Sequence, residues 1–256
     1  MARSTLDEAM LGEVCAVFAR SFYVRTKNGL LCVGAGDMYD GPLTLVTNAP
    51  ETTNWQASGV RVRQRVVLRS RDIAVGLGLV IAWGRVTEWT PPRPPAIDAG
   101  MTSKGIARLR AKVVDRLPMS GLAEFLVASD LNIGSSLAVV AEGPIRRMRA
   151  ALSVALSGRR LFQPAPSDVA ALLGLGPGLT PSGDDFLGGM MVGLHAVHQD
   201  AFAQDLWRVI NDCNENAVNI VSWAHLRAAA DGMAADGILR LACVIGSGGN
   251  IDDEIL

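Results

Sequence analysis

The sequence predicts an α+β protein, with a β-rich N-terminal part resembling a barrel or sandwich followed by a mainly α-helical C-terminal part. Three observations carry that prediction. Asn28-Gly29 lies between two short apolar runs, the strongest local signature of a β-hairpin. Residues 60–68 alternate apolar and basic side chains, the period of a strand with two unlike faces. Then Pro91-Pro92-Arg93-Pro94-Pro95 ends the β pattern with a stiff segment, and apolar residues recur at helical spacing beyond it. The expected organisation is a β-rich domain over residues 1–90, a proline-rich linker over 91–96 and a helical domain over 97–256.

In the first part, Phe22–Arg25 and Leu30–Val33 form the two arms of the hairpin. Leu43–Thr47 follows the Gly41-Pro42 turn. Within Val60–Leu68, Val60, Val62, Val66 and Leu68 share a face with Gln64, while Arg61, Arg63, Arg65 and Arg69 point the other way. The arginine row reads as an exposed strand face or as a basic stripe for an anion. Leu77–Trp89 is the expected partner strand. Several short strands in succession fit a small antiparallel barrel or sandwich.

In the second part, Ile97–Leu117 has amphipathic spacing with basic residues outward, and Gly121–Ala128 is a further short helix. Pro144–Leu156 has proline where a helix starts and Gly158 after its end. Ser167-Asp168 can cap a helix running to Leu173, closed by Gly174. Phe186–His198, Ala201–Val221, His225–Ala230 and Ile238–Ile245 complete the helices, and Asp252-Asp253-Glu254 form an acidic tail.

Composition narrows the function. With 49% hydrophobic and 19% charged residues the chain is globular rather than disordered. A formal net charge of −1 argues against a general nucleic-acid binder. Arginine far outnumbers lysine, leaving many bidentate anion-binding groups. The four cysteines, Cys15, Cys32, Cys213 and Cys243, have neither zinc-site nor disulfide-framework spacing and read as small buried hydrophobes in a reducing compartment. The N-terminus lacks a secretory pattern, and the longest apolar stretch, Phe186–Val197, is too short to span a bilayer. The expectation is a cytoplasmic protein without a membrane partner.

Residues 174–189 carry most of the functional information. Six glycines and two prolines share these sixteen positions with the adjacent carboxylates Asp184 and Asp185. On a structural reading, Gly174 ends one helix, Pro177 and Pro181 stiffen the turn, and Ser182 caps the next helix with Asp185 as the partner of a capping box. That leaves Gly188, Gly189 and Gly193 inside the following helix unexplained, at about 1 kcal/mol each relative to alanine. On a functional reading, the N–H groups from Gly178 to Gly183 surround a phosphate or carboxylate. Asp184 and Asp185 then orient a substrate amino group or hold a magnesium ion as cofactor. No lysine follows the glycines and a helix rather than a strand precedes them, so neither familiar nucleotide loop is matched.

A second cluster runs from Asn211 to His225. On one continuous helix Asn211, Glu215, Asn219 and Ser222 would fall on one face. Such a stripe is either solvated or lines a polar pocket, and His225, close after it, is a structural histidine or a base.

The segment LGLGPGLTPSGDDFLGG, Leu173–Gly189, resembles the signature of the AllH-type subunit of oxamate carbamoyltransferase. Three more segments are similar in kind: Gly41–Leu45, the Ser-x-x-x-Leu element Ser222–Leu226, and the glycine-rich Ile245–Gly249. The resemblance implies a subunit of a hetero-oligomer in purine-nitrogen and allantoin breakdown. That assembly transfers a carbamoyl group between oxalurate and phosphate to give oxamate and carbamoyl phosphate. The implied partners are small anions of this kind and other subunits. Asp184, Asp185 and His225 are then the candidate catalytic residues, and Gly176, Gly178, Thr180, Ser182, Gly183, Asn211, Glu215 and Ser222 the substrate-binding ones. Two other readings remain open, a non-catalytic scaffold or regulatory subunit and a magnesium-dependent nucleotide or phosphoryl-transfer enzyme.

Overall fold

A computed structural model describes residues 9–93, 99–116, 121–127, 135–158, 161–213 and 218–250. Glu215 with Asn214 and Asn216, the last two prolines of the proline-rich segment, and the acidic tail lie outside them. The chain divides into two compact units, Met1–Thr90 and Pro91–Leu256.

The first unit is one curled seven-stranded sheet, a half-barrel. Its strands are β1 (Met10–Val17), β2 (Ser21–Thr26), β3 (Gly29–Gly34), β4 (Thr44–Val46), β5 (Arg65–Leu68), β6 (Asp72–Val75) and β7 (Leu79–Ala82), in the spatial order β4-β3-β2-β1-β5-β6-β7. All neighbours are antiparallel except β3 and β4. The hairpin predicted at Asn28-Gly29 joins β2 to β3, with Thr26 opposite Gly29. Its core gathers Val14, Phe22, Val24, Val33, Trp55, Val60, Val66, Ile73 and Val75. Phe22 and Trp55 meet edge to face at 5.1 Å, a favoured aromatic geometry.

The strand expected over Val60–Leu68 is shorter than its alternation implied. Only Arg65–Leu68 is strand, because Arg63 takes φ 71° and the Gln64 side chain accepts the Arg61 N–H at 2.9 Å, folding 61–64 into a turn. Val60 stays buried while Val62 is 52% exposed. No basic row results: Arg61 donates to the Gln56 and Val60 carbonyls, and Arg69 pairs with Asp72. The expected strand Leu77–Trp89 narrows to β7, which pairs with β6.

The second unit is helical: α1 (Ala99–Val113), α2 (Glu124–Val127), α3 (Ser136–Leu156), α4 (Pro166–Leu172), α5 (Ser182–Ala196), α6 (Asp200–Asp212), α7 (Ile220–Ala230) and α8 (Asp236–Ser247). Pro144 does not start a helix, contrary to expectation. It lies buried inside α3, which begins two turns earlier where the Ser135 hydroxyl accepts the Ala138 N–H at 3.2 Å. Nor do Ser167 and Asp168 cap α4, whose N-cap is Ala165 with proline in the first turn. Asp168 is buried in that turn and accepts Nε and Nη2 of Arg147 from α3 at 2.9 and 2.6 Å.

The buried stripe of α5, Leu187, Met191 and Leu194, packs between α6 and α7. α1 lies against α8, where Gly105 allows close contact: a Cβ there would sit 2.3 Å from the Ile245 carbonyl oxygen. α8 closes on Gly248 at φ 63°. Its N–H reaches Ile245 O and that of Gly249 reaches Val244 O, the two bonds of a Schellman motif. Arg108 donates to the Gly248 and Gly249 carbonyls. The glycine-rich end at Ile245–Gly249 is thus a helix terminus with its own cap.

Gly105→Ala is expected to lower stability by about 1–3 kcal/mol, since backbone on both helices must move. Gly189→Ala, where an added Cβ meets nothing within 4 Å, should raise it by up to about 1 kcal/mol. Urea unfolding of both variants checks the pair.

Candidate functional site, the Gly174–Asp185 loop and its cleft

The loop between α4 and α5 is fixed from inside the helical unit. Gly174 (φ 72°) turns the chain out of α4, and the Gly183 N–H reaches back to Leu175 O at 2.9 Å. That closure requires Gly183, because a Cβ there would lie 1.9 Å from the Leu172 carbonyl oxygen. Gly176 holds φ 118° with its absent Cβ 3.0 Å from the Ser182 nitrogen, a conformation that favours glycine.

Asp184 is the loop's anchor. It is 2% exposed, and its two oxygens face different donors. Oδ1 accepts the Gly174 N–H at 2.7 Å, and Oδ2 accepts the Ser222 hydroxyl, from the first turn of α7, at 2.5 Å. Asn219 adds a second tie. Its Oδ1 caps α7 by accepting from Val221 N and Ser222 N at 3.0 Å, and its Nδ2 donates to Leu179 O at 2.7 Å. α7 therefore grips both the loop and the carboxylate that follows it.

Asp185 is placed differently. Successive helical residues point about 100° apart, so while Asp184 turns inward Asp185 turns to an open cleft of about 340 Å³. Gly121, Leu122, Ala123, Ser182 and Phe186 line the rest of it. Asp185 is exposed as a residue, yet partial burial of its carboxyl and then the Asp184 charge push its pKa up to about 6, against the lowering effect of a Thr180 hydrogen bond. On the α2 side the buried Glu124 carboxylate is turned away to accept the Ser135 N–H at 3.2 Å.

Several expected site residues already have partners. Ser182 does not cap α5. The N-cap is Pro181, without a side-chain bond, and Ser182 instead stands in the first turn at the cleft. The Gly183 N–H, the Ser222 hydroxyl and both Asp184 oxygens are engaged internally. By contrast, the N–H groups of Gly176, Gly178, Leu179 and Thr180 have no hydrogen-bond partner among the described residues. The polar stripe does not exist as one helical face, since α6 ends at Asp212 and a new helix starts at Ile220. Asn211 is an exposed residue of α6, and Glu215 lies outside the described residues. His225 is an exposed residue of α7 and makes no hydrogen bond or ion pair to the loop. Partial burial lowers its pKa, so the ring is neutral at pH 7.

Magnesium does not fit the aspartates as a chelating pair, because Asp184 is buried with both oxygens occupied and the carboxylates diverge. Among the described residues no group of three or more His, Cys, Asp or Glu could hold a metal, and no helix is long and apolar enough to cross a membrane. Sequence reasoning overlooked Asn219 as a clamp, although an Asn just before an apolar helical run is an N-cap signal. It also overlooked the Gly121–Ala123 wall, which nothing local in the sequence marks.

Residues 172–254, which contain this loop and α5–α8, match the family model for the oxamate carbamoyltransferase subunit AllH. Residues 1–88 match the AllH family N-terminal domain. The chain belongs to the AllH family. It is thus a carbamoyltransferase subunit, and as a subunit it implies further chains in a complex. Comparison with curated proteins and with solved structures gave no match.

Asp185 should cost the AllH chain stability at neutral pH. Its folded pKa lies above the unfolded value, so its stabilising contribution is full below the unfolded pKa of 3.8 and is lost as pH rises through about 6. Asp185→Asn is therefore expected to raise Tm at pH 7.5, with the gain vanishing near pH 4, as a melting series would show. Asn219→Ala should lower stability by about 1–2 kcal/mol through loss of the cap, a loss that chemical denaturation measures.

Proposed function

We propose that this chain supplies the anion-holding and proton-transferring part of an oxamate/oxalurate-type carbamoyltransferase site. The observation that carries the reading is that the N–H groups of Gly176, Gly178, Leu179 and Thr180 have no partner among the described residues, in the loop whose Ser182 and Asp185 line a cleft and whose Asp185 carboxyl has a raised pKa. Such donors suit phosphate or carboxylate oxygens and the oxyanion that develops when a carbamoyl carbonyl is attacked. Ser182 adds a hydroxyl at the cleft, and Thr180 holds the Asp185 carboxyl through its side chain. In the direction from oxalurate, a phosphate oxygen bonds to the carbamoyl carbon, the carbon–nitrogen bond to oxamate breaks, Asp185 gives the leaving nitrogen its proton, and the proton given up by the attacking hydrogen phosphate restores the Asp185 carboxyl. In reverse Asp185 takes that proton back. A group titrating near 6 can serve both directions at neutral pH. Asp184 acts by holding the loop, and His225 has no tie to it that would give it the proton. The setting is the cytoplasmic breakdown of allantoin and purine nitrogen, with other subunits completing the enzyme.

In the assembled complex, Asp185→Asn should lower carbamoyl transfer at least about 100-fold, the usual scale of a lost acid–base group, with the fold intact by circular dichroism. Asp184→Asn should lower both turnover and stability. Carbamoyl phosphate or phosphate should raise the Tm of the chain through binding to the folded state. Full turnover in both variants would overturn the reading, and a Tm unmoved by either anion would make the loop a scaffold contact.

A further inference from the structure

We propose that the β7 edge of the N-terminal unit is a homodimer interface, at which a second copy of this chain pairs its own β7 antiparallel across a two-fold axis. β7 ends the sheet order, with β6 on one side and no strand on the other among the described residues. The ladder fixes which of its main-chain groups are left over. The Trp83 N–H donates to Arg71 O at 3.0 Å, and the β6–β7 register sets Ile73 against Ile81 and Val75 against Leu79. Hydrogen-bonded pairs alternate along an antiparallel ladder, so Leu79, Ile81 and Trp83 turn their N–H and C=O groups to β6. Those of Val80 and Ala82 point away from the sheet.

Sheet edges are ordinarily blunted by charge, proline, a bulge or shortness. The opposite edge is: β4 has three residues and follows Asp40-Gly41-Pro42. β7 has none of these devices beyond modest length. Its register with β6 is unbroken, and Leu77–Gly84 contains no charge and no proline, the composition that associates edge to edge when left open. Both faces of the strand are apolar. Inward, Leu79, Ile81 and Trp83 are only partly buried where they pack on the β core, so that core is open at this edge. Outward, the registers align Leu11, Val67, Ala74 and Val80 in one row across β1, β5, β6 and β7, and Val80 at its end is 63% exposed.

A second copy is the occupant that this edge fits. With Ile81 on the two-fold axis, Val80 lies against Ala82 of the second copy, and each residue both gives and takes a main-chain hydrogen bond. The larger side chain meets the smaller one on the outward face. On the inward face Leu79, Ile81 and Trp83 of the two copies close each other's open cores. The nearest charge along the strand, Arg85, falls opposite Leu77 and about 27 Å from its own symmetry mate, so no like charges meet.

This pairing uses neither the glycine loop nor the cleft, so it stands or falls apart from the reading of Asp185. The test is the mass of the full chain in solution, by light scattering on a sizing column. Wild type should run at twice 27.0 kDa. Ala82→Pro removes an outward N–H and sets a ring in the path of the second copy, at no cost to the β6–β7 ladder. It should run at 27.0 kDa with a wild-type circular dichroism spectrum. Val80→Lys puts a charge on the edge and should do the same, and it stands in for the proline variant should that one not fold. Amide exchange reads the geometry directly. The Val80 N–H, which β6 does not bond, should exchange at least about tenfold more slowly in wild type than in Ala82→Pro, because only pairing protects it. Any other mass for wild type overturns the proposal, as does a dimer that survives both substitutions. Fast exchange at Val80 in a wild-type dimer would put the contact elsewhere and overturn it as well. Protection that arises only when other subunits are added would give the edge to a foreign strand, and the second copy would be the wrong occupant.

Discussion

The helical unit depends on one buried charge. A carboxylate removed from water without partners costs several kcal/mol, and Asp184 is removed almost completely. Its two donors come from the loop that precedes it and from α7, and hydrogen bonds to a charged group contribute about 1.5–3 kcal/mol each. Neither donor alone offsets the burial, so the loop and α7 must be in place together. The Asn219 bond to Leu179 O reinforces the same joint from a neutral group. The order of the loop is therefore a tertiary property, imposed from a helix that comes 38 residues later.

This dependence explains what the sequence disclosed and what it withheld. Local chemistry was legible: the Asn-Gly hairpin, the proline-rich end of the β pattern, and the glycine loop opening a helix all follow from nearby residues. The central strand β1 was not. Gly12 and Glu13 interrupt its apolar run, and its register with β2 shifts between Val14 and Ala16. Gly12 is there because a Cβ would meet Arg25 O and Val24 Cγ1 at 2.9 Å, a fact about the neighbouring strand. Val62 misled for the opposite reason. Its alternation was regular, but the Arg61 N–H donates to the Gln64 side chain and the backbone turns over 61–64. In the candidate site the spacing of Asn219 and Ser222 was noticed but read as one long helical face. The break after Asp212 turned the first into a cap and the second into a buried donor.

The glycines of the loop and α5 divide by what surrounds them. Gly183 is held by its neighbour's backbone, and Gly176 by its left-handed conformation beside Ser182. Gly188 meets Ala229 and Leu226 at ordinary contact distance, so it contributes to the α5–α7 packing without being required by it. Gly189 and Gly193 meet nothing within 4 Å, and the packing of this chain does not explain them. A glycine-rich signature can thus mix positions fixed by the fold with positions the fold leaves free, and substitution tolerance separates them where pattern matching cannot.

The adjacent aspartates look alike in sequence, and a capping argument treats both as favourable near a helix N-terminus. That effect is worth about 0.3–1 kcal/mol for an exposed charge, whereas partial burial together with a like charge one residue away carries the Asp185 pKa from 3.8 to about 6. The Thr180 bond pulls the same way as the dipole, and the two together still lose. What decides the difference is direction. Consecutive side chains on a helix diverge by about 100°, so one carboxylate reaches Gly174 in the loop and Ser222 on α7 while the other reaches Thr180 and a partly apolar cleft. An identical pair set where both faced water would titrate alike. Here the helix's own geometry separates a carboxyl held by two donors from one pushed up to about 6.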